Sequence, residues 1–162
     1  MSLAQGLVLL VALQRLVELA HARRNTARLL AAGGYEVAAG HYPLLILVHG
    51  AWLAALLLLV PADAPVDGRW LAVFALLQLC RVWVLVSLGR RWTTRIIVCP
   101  GLPLVRRGPY RFLRHPNYAI VAAEIAVLPL AFGAWRLALA FSILNAALLA
   151  WRLRAEDRAL AG

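Results

Sequence analysis

Apolar residues fall in five long runs, separated by polar connections rich in arginine. The first run covers about Leu3 to Ala20 and ends among Gln14, Arg15 and Glu18. The second, about Pro43 to Val60, is nearly all Leu, Ala and Val. The third spans about Trp70 to Leu88 and holds Gln78 and Arg81. Glu124 and Pro129 interrupt the fourth, about Tyr118 to Phe132, and Asn145 the fifth, about Leu137 to Trp151. A helix needs about 20 apolar residues to cross a bilayer core. The pattern therefore predicts an all-α integral membrane protein with five transmembrane helices in one domain, residues 1–162. The last two runs are short and tightly joined around Gly133, which predicts a short hairpin. The first run lacks the basic start and the Ala-x-Ala cleavage site of a secretory signal, so it reads as a structural helix.

Composition agrees. Hydrophobic residues make up 64% of the chain, charged residues 15%, and mean hydropathy is +0.79, which excludes an ordinary soluble domain. All 17 basic residues are arginines, set against 7 acids. In a soluble chain that excess would suggest nucleic acid. Between apolar runs it points instead to membrane lipid headgroups, an anionic substrate, or topology. Connections 21–42, 89–117 and 152–162 hold 3, 7 and 3 arginines, while the opposite connections hold only Arg69 and Arg136. The positive-inside rule then puts the N-terminus outside and the C-terminus in the cytoplasm. Cys80 and Cys99 form no disulfide framework or metal motif, and the four histidines lack close ligand spacing.

The polar residues inside the apolar runs carry the next layer of information. Gln14, Arg15 and Glu18 share one helix face, as do Gln78 and Arg81. Each set reads either as an interfacial anchor or as a cavity wall. Glu124 lies about two turns into its helix, where a lone carboxylate is expensive. It needs a partner, with an arginine of 106–114 or Arg152 as the candidates, and a pairing role is compatible with a ligand role. Asn145, Leu149, Arg152 and Glu156 make one stripe of a continuing helix, with Asp157 beside Glu156. These carboxylates fit a ribose hydroxyl or an ammonium group, or simply a solvated tail. His49 fits helix packing or substrate contact.

The connection 89–117 is chemically crowded. Ile96, Ile97 and Val98 suit a short extended segment, and Pro100-Gly101 and Gly108-Pro109 suit turns. His115 precedes a proline, which biases it away from α geometry and marks a helix start. Tyr118 lies three residues on, so an imidazole and a phenol meet at that helix entrance.

Arg114-His115-Pro116-Asn117-Tyr118, preceded by Gly108-Pro109-Tyr110, resembles the signature of the isoprenylcysteine carboxyl methyltransferase family. In that family the string and an acidic pair on the last helix build a pocket for S-adenosylmethionine. The resemblance implies that Gly108, Pro109, Tyr110, His115, Pro116 and Tyr118 line that pocket, with Glu156 and Asp157 as its acidic pair. It further implies that Arg152 and Asn145 face the substrate side; Glu124 joins them as a catalytic candidate on its position inside the helix alone. No metal is implied. Gln14 to Glu18, Arg24-Asn25, Gly33-Gly34-Tyr35-Glu36, His41-Tyr42-Pro43 and His49 are similar to a small bacterial branch associated with alkylpyrone O-methylation. That likeness implies a bacterial inner membrane as the location. The implied reaction is direct methyl transfer to a carboxylate or acidic hydroxyl of a lipophilic small molecule entering from the membrane. A membrane reductase using NADPH and a non-enzymatic membrane binding protein are the alternatives; the lack of a Gly-x-Gly-x-x-Gly string weighs against the reductase.

Overall fold

A computed structural model describes residues 2–161. Five helices follow in order: α1 (Leu3–Ala31), α2 (Tyr42–Leu59), α3 (Gly68–Leu88), α4 (Pro116–Ala131) and α5 (Trp135–Ala161). Two three-residue strands, β1 (Tyr35–Val37) and β2 (Ile96–Val98), pair antiparallel with Tyr35 opposite Val98. Segments Leu3–Ala31, Ala39–Leu59, Gly68–Arg91 and Trp135–Ala159 are each long and apolar enough to cross a membrane, which makes this a multi-pass membrane protein. At 16 residues, α4 is about 24 Å long, short of a hydrocarbon core of about 30 Å.

Two of the expected boundaries change. The first helix does not end near Ala20 but runs 29 residues, through the polar stretch that had read as a connection. Ser2 and Gln5 start it with a reciprocal capping box. It stops at Gly33, whose φ of +88° suits glycine, and the Gly34 N–H returns to the Leu29 carbonyl at 2.9 Å. The final hairpin is also not short: α5 spans 27 residues, because the apolar run continues as helix through Arg152 and Glu156. Gly133 (φ +69°) makes the turn into it, as expected, and the Ala134 N–H bonds the Pro129 carbonyl at 2.9 Å.

The bundle is layered along its axis. At one end Val8, Trp52, Leu56, Phe74, Ile125 and Leu128 form the main apolar core. Toward the other end Ala22, Val84, Trp92 and Ile120 form a smaller one. Outward-facing Leu10, Leu16, Leu58, Leu79 and Ile143 are exposed, as suits a lipid-facing surface.

Between the two apolar layers lies a closed polar network. Glu18 takes Arg15 at 2.9 Å and Gln14 at 2.9 Å, and Glu124 takes Arg15 and Gln78, each at 2.8 Å. Arg81 reaches both carboxylates, and Gln14 donates to Gln78 at 2.9 Å. Two cations balance two anions, so the burial of each is compensated. The expected partners of Glu124 were an arginine of 106–114 or Arg152. Its partners are instead Arg15 and Arg81, because α1 and α3 flank α4 at that depth.

Candidate active site

The β1–β2 ribbon brings the two longest polar connections together at one end of the bundle, where it packs on α5. Thr94, just before β2, joins two helices there. Its carbonyl accepts from Arg152 Nη2 of α5 at 3.0 Å, and its hydroxyl lies 3.2 Å from the Tyr42 hydroxyl of α2. Arg95 stacks over the Tyr42 ring at 4.2 Å and pairs with Glu36 of β1 at 2.7 Å. On the α1 side, Asn25 is fully buried and donates to the carbonyls of Trp92 (2.9 Å) and Gly89 (3.2 Å). The connection is therefore held from both sides.

Four of the expected cofactor residues converge on this platform. Tyr118, in the first turn of α4, donates to Glu156 of α5 at 2.6 Å. The His115 ring stacks on Tyr118 with centroids 5.5 Å apart, its Nδ1 lies 3.7 Å from Glu156, and its Nε2 lies 3.4 Å from Asp157. His115 itself is non-helical (φ −129°, ψ 60°), because Pro116 forbids it the α region. Arg114 reaches Asp157 at 3.4 Å from the surface, and Arg152 lies 5.6 Å from the centre of the Tyr118 ring.

Gly108, Pro109 and Pro116 sit differently. A Cβ on Gly108 (φ +58°) would lie 2.0 Å from Ser87 Oγ, so glycine allows this turn to rest on the end of α3. Pro109 and Pro116 line an apolar groove of about 250 Å³ with Leu77, Cys80, Trp83 and Ile120. Tyr110 packs on the smaller apolar cluster. Burial, and then the Glu156 carboxylate, push its phenol above the ordinary value. Asn145 is buried on α5 two turns before Arg152. Glu124 belongs to the polar network rather than to the His115–Glu156 cluster.

Several buried polar atoms at this end have no well-formed hydrogen bond among the described residues: Arg152 Nε and Nη1, Asn145 Oδ1 and the His41 ring nitrogens. Native interiors leave few such atoms unpaired. Together with the nearby Glu156 and Asp157 carboxylates, this mix of donors and acceptors would fit a ligand with an ammonium, ribose hydroxyls and a carboxylate, the groups that S-adenosylmethionine carries. Thr94 and His41 attracted no specific role in the sequence. Thr94 acts through its backbone carbonyl, which leaves no side-chain signal, whereas the His41-Tyr42-Pro43 string was a signal without a direction.

A profile of the isoprenylcysteine carboxyl methyltransferase (ICMT) family matches residues 70–162. A Bacillus subtilis (strain 168) protein, named only as uncharacterized protein YpbQ, is 40% identical over 159 residues, covering 95% of this chain and 94% of its own length. No solved structure matches the chain. Since the matched region contains His115, Tyr118, Arg152 and Glu156, and the bacterial relative extends the likeness through α1 and α2, this chain belongs to the isoprenylcysteine carboxyl methyltransferase family.

Proposed function

We propose that the protein is an S-adenosylmethionine-dependent O-methyltransferase acting on a lipophilic acceptor with a carboxylate or an acidic hydroxyl, such as an alkylpyrone or an isoprenylcysteine-like molecule. The observation that carries this reading is the Tyr118–Glu156 hydrogen bond, flanked by His115 and by the unpartnered nitrogens of Arg152. Family membership supports methyl transfer, and the arginine-rich ribbon end supports a cytoplasmic site.

S-adenosylmethionine, when bound, supplies an electrophilic methyl group on its sulfonium. Glu156, oriented by Tyr118, would hold the polar end of the cofactor, and His115 would flank it. Arg152, anchored by Thr94, would orient the acceptor anion with its free Nε and Nη1. Displacement requires donor and acceptor held in line, and no covalent enzyme intermediate. A carboxylate or acidic enol is ionised near neutral pH, so no strong base is needed. Too many cationic contacts would blunt such a nucleophile, and a single arginine is consistent with that limit. The alkyl tail would lie among the helices while the cofactor enters from water.

Calorimetric binding of S-adenosylmethionine to detergent-purified protein tests the reading. Micromolar binding by the wild type, weakened at least tenfold in His115→Ala and Glu156→Ala, is the expected result. A well-folded wild type that binds NADPH and not S-adenosylmethionine would overturn it.

A further inference from the structure

The four histidines differ in one respect. His21 contacts Asn25 at 3.1 Å, His49 Nδ1 contacts the Leu45 carbonyl at 2.8 Å, and His115 faces two carboxylates. His41 is the least satisfied: its exposure is 2%, neither ring nitrogen makes a well-formed hydrogen bond among the described residues, and its one backbone neighbour is the Ala38 carbonyl. An imidazole buried for packing alone would leave ring polarity unsatisfied, which native interiors rarely do. The backbone holds it there nevertheless. Ala38 adopts the left-handed conformation (φ 51°), uncommon outside glycine, and starts the single helical turn Ala39–His41 that delivers the ring. The ring packs against Trp151 with centroids 5.4 Å apart, beside Arg152. Tyr42, the next residue, meets Thr94, the anchor of Arg152. The charges that act on the ring are those of Arg152 and Glu36.

Position along α5 separates two halves of the site. Glu156 lies one turn, about 6 Å, beyond Arg152 toward the chain end. His41 packs on Trp151, level with Arg152, and Asn145 lies two turns before it. Arg152 and His41 thus stand about one turn of α5 before Glu156, on the side of the apolar run.

Resting on the methyltransferase reading, we propose that His41 is an acceptor-binding residue: its ring N–H and the free Arg152 nitrogens together receive the anionic oxygen of the methyl acceptor. The acceptor class is then a delocalised oxyanion on a lipophilic tail. His41 sets acceptor affinity and orientation, and leaves cofactor affinity to the Glu156 half.

The test compares wild type, His41→Ala and His41→Gln in detergent. Calorimetry reads S-adenosylmethionine affinity, and radiolabelled methyl transfer reads KM and kcat with two probes, 4-hydroxy-6-undecyl-2-pyrone and S-farnesylthiopropionate. His41→Ala should keep cofactor affinity within about twofold and thermal stability near wild type, and raise acceptor KM at least tenfold. His41→Gln, whose amide N–H also donates, should recover most of that loss. Equal loss of cofactor affinity, unchanged KM, or a glutamine variant as defective as alanine would overturn the proposal. Wild type that binds S-adenosylmethionine but methylates neither probe overturns the oxyanion assignment alone. Wild type that binds no S-adenosylmethionine overturns the methyltransferase reading beneath it.

Discussion

Arg81 grips Glu18 with two nitrogens, Nε to Oε1 at 2.7 Å and Nη2 to Oε2, and its third nitrogen reaches Glu124 at 3.2 Å. One guanidinium thereby joins α1, α3 and α4 at mid-depth, and Arg15 makes the same link from the α1 side. The pairing is planar and two-pronged, which a lysine cannot reproduce.

Removing one member leaves an opposite charge buried without its partner. Arg81→Met should therefore destabilise by about 3 kcal/mol or more, read as a lower melting temperature in detergent. Arg81→Met combined with Glu18→Gln leaves Arg15 paired with Glu124 and should be less damaged than Arg81→Met alone. A double variant that is no better would show that the network contributes more than charge balance.

Tyr118→Phe keeps the ring that stacks on His115 and loses only the hydroxyl bonded to Glu156. A hydrogen bond to a charged group is worth about 1.5–3 kcal/mol. S-adenosylmethionine affinity should fall roughly tenfold or more by calorimetry, with little change in fold by circular dichroism.

Arg152→Lys keeps the charge and loses the fork that binds Thr94 with one nitrogen and leaves two others free. Turnover should drop more than tenfold while cofactor affinity changes far less. A proportionate fall in both would place Arg152 on the cofactor side.

Gly108→Ala places a Cβ 2.0 Å from Ser87 Oγ at a φ of +58°. The variant should melt at lower temperature. Ser87→Gly should restore it only in part, since it relieves the clash and not the backbone strain.

Tyr110 gives a pH signature. Its phenol is raised in the folded state by burial and by Glu156, whereas in the unfolded chain it ionises near pH 10. The folded state thus holds its proton longer. The stability present below about pH 10 is lost as pH rises above it. Tyr110→Phe should flatten that alkaline decline in a melting-temperature profile, and an unchanged slope would assign the decline elsewhere.

Much of the helical plan was legible because lipid leaves the backbone few choices: a long apolar run must be helix. The faces Arg15–Glu18 and Gln78–Arg81 were legible for the same local reason, since residues three or four apart share a side. Their union with Glu124 was not. Helix periodicity says which side chains stand together on one helix and nothing about which helix stands opposite. For the same reason the partners expected for Glu124 were an arginine of 106–114 or Arg152, and Arg15 and Arg81 went unrecognised. The extra turns of α1 were hidden by their polarity. His21-Ala22-Arg23-Arg24-Asn25 reads as a connection when membrane burial is the only measure, yet it continues as a helix whose Asn25 is clamped by Gly89 and Trp92.

By itself the sequence determined the membrane class, the helix entrance at His115-Pro116, and the stripe that puts Asn145, Arg152 and Glu156 on one face. All three depend on burial and on spacing within a single element. Only the tertiary structure decided that β1 pairs β2, that Tyr118 meets Glu156, and that His41 ends buried beside Trp151. Those contacts join residues 38 to 110 positions apart in the chain. They depend on how the helices pack and cross, and local periodicity carries no record of that geometry.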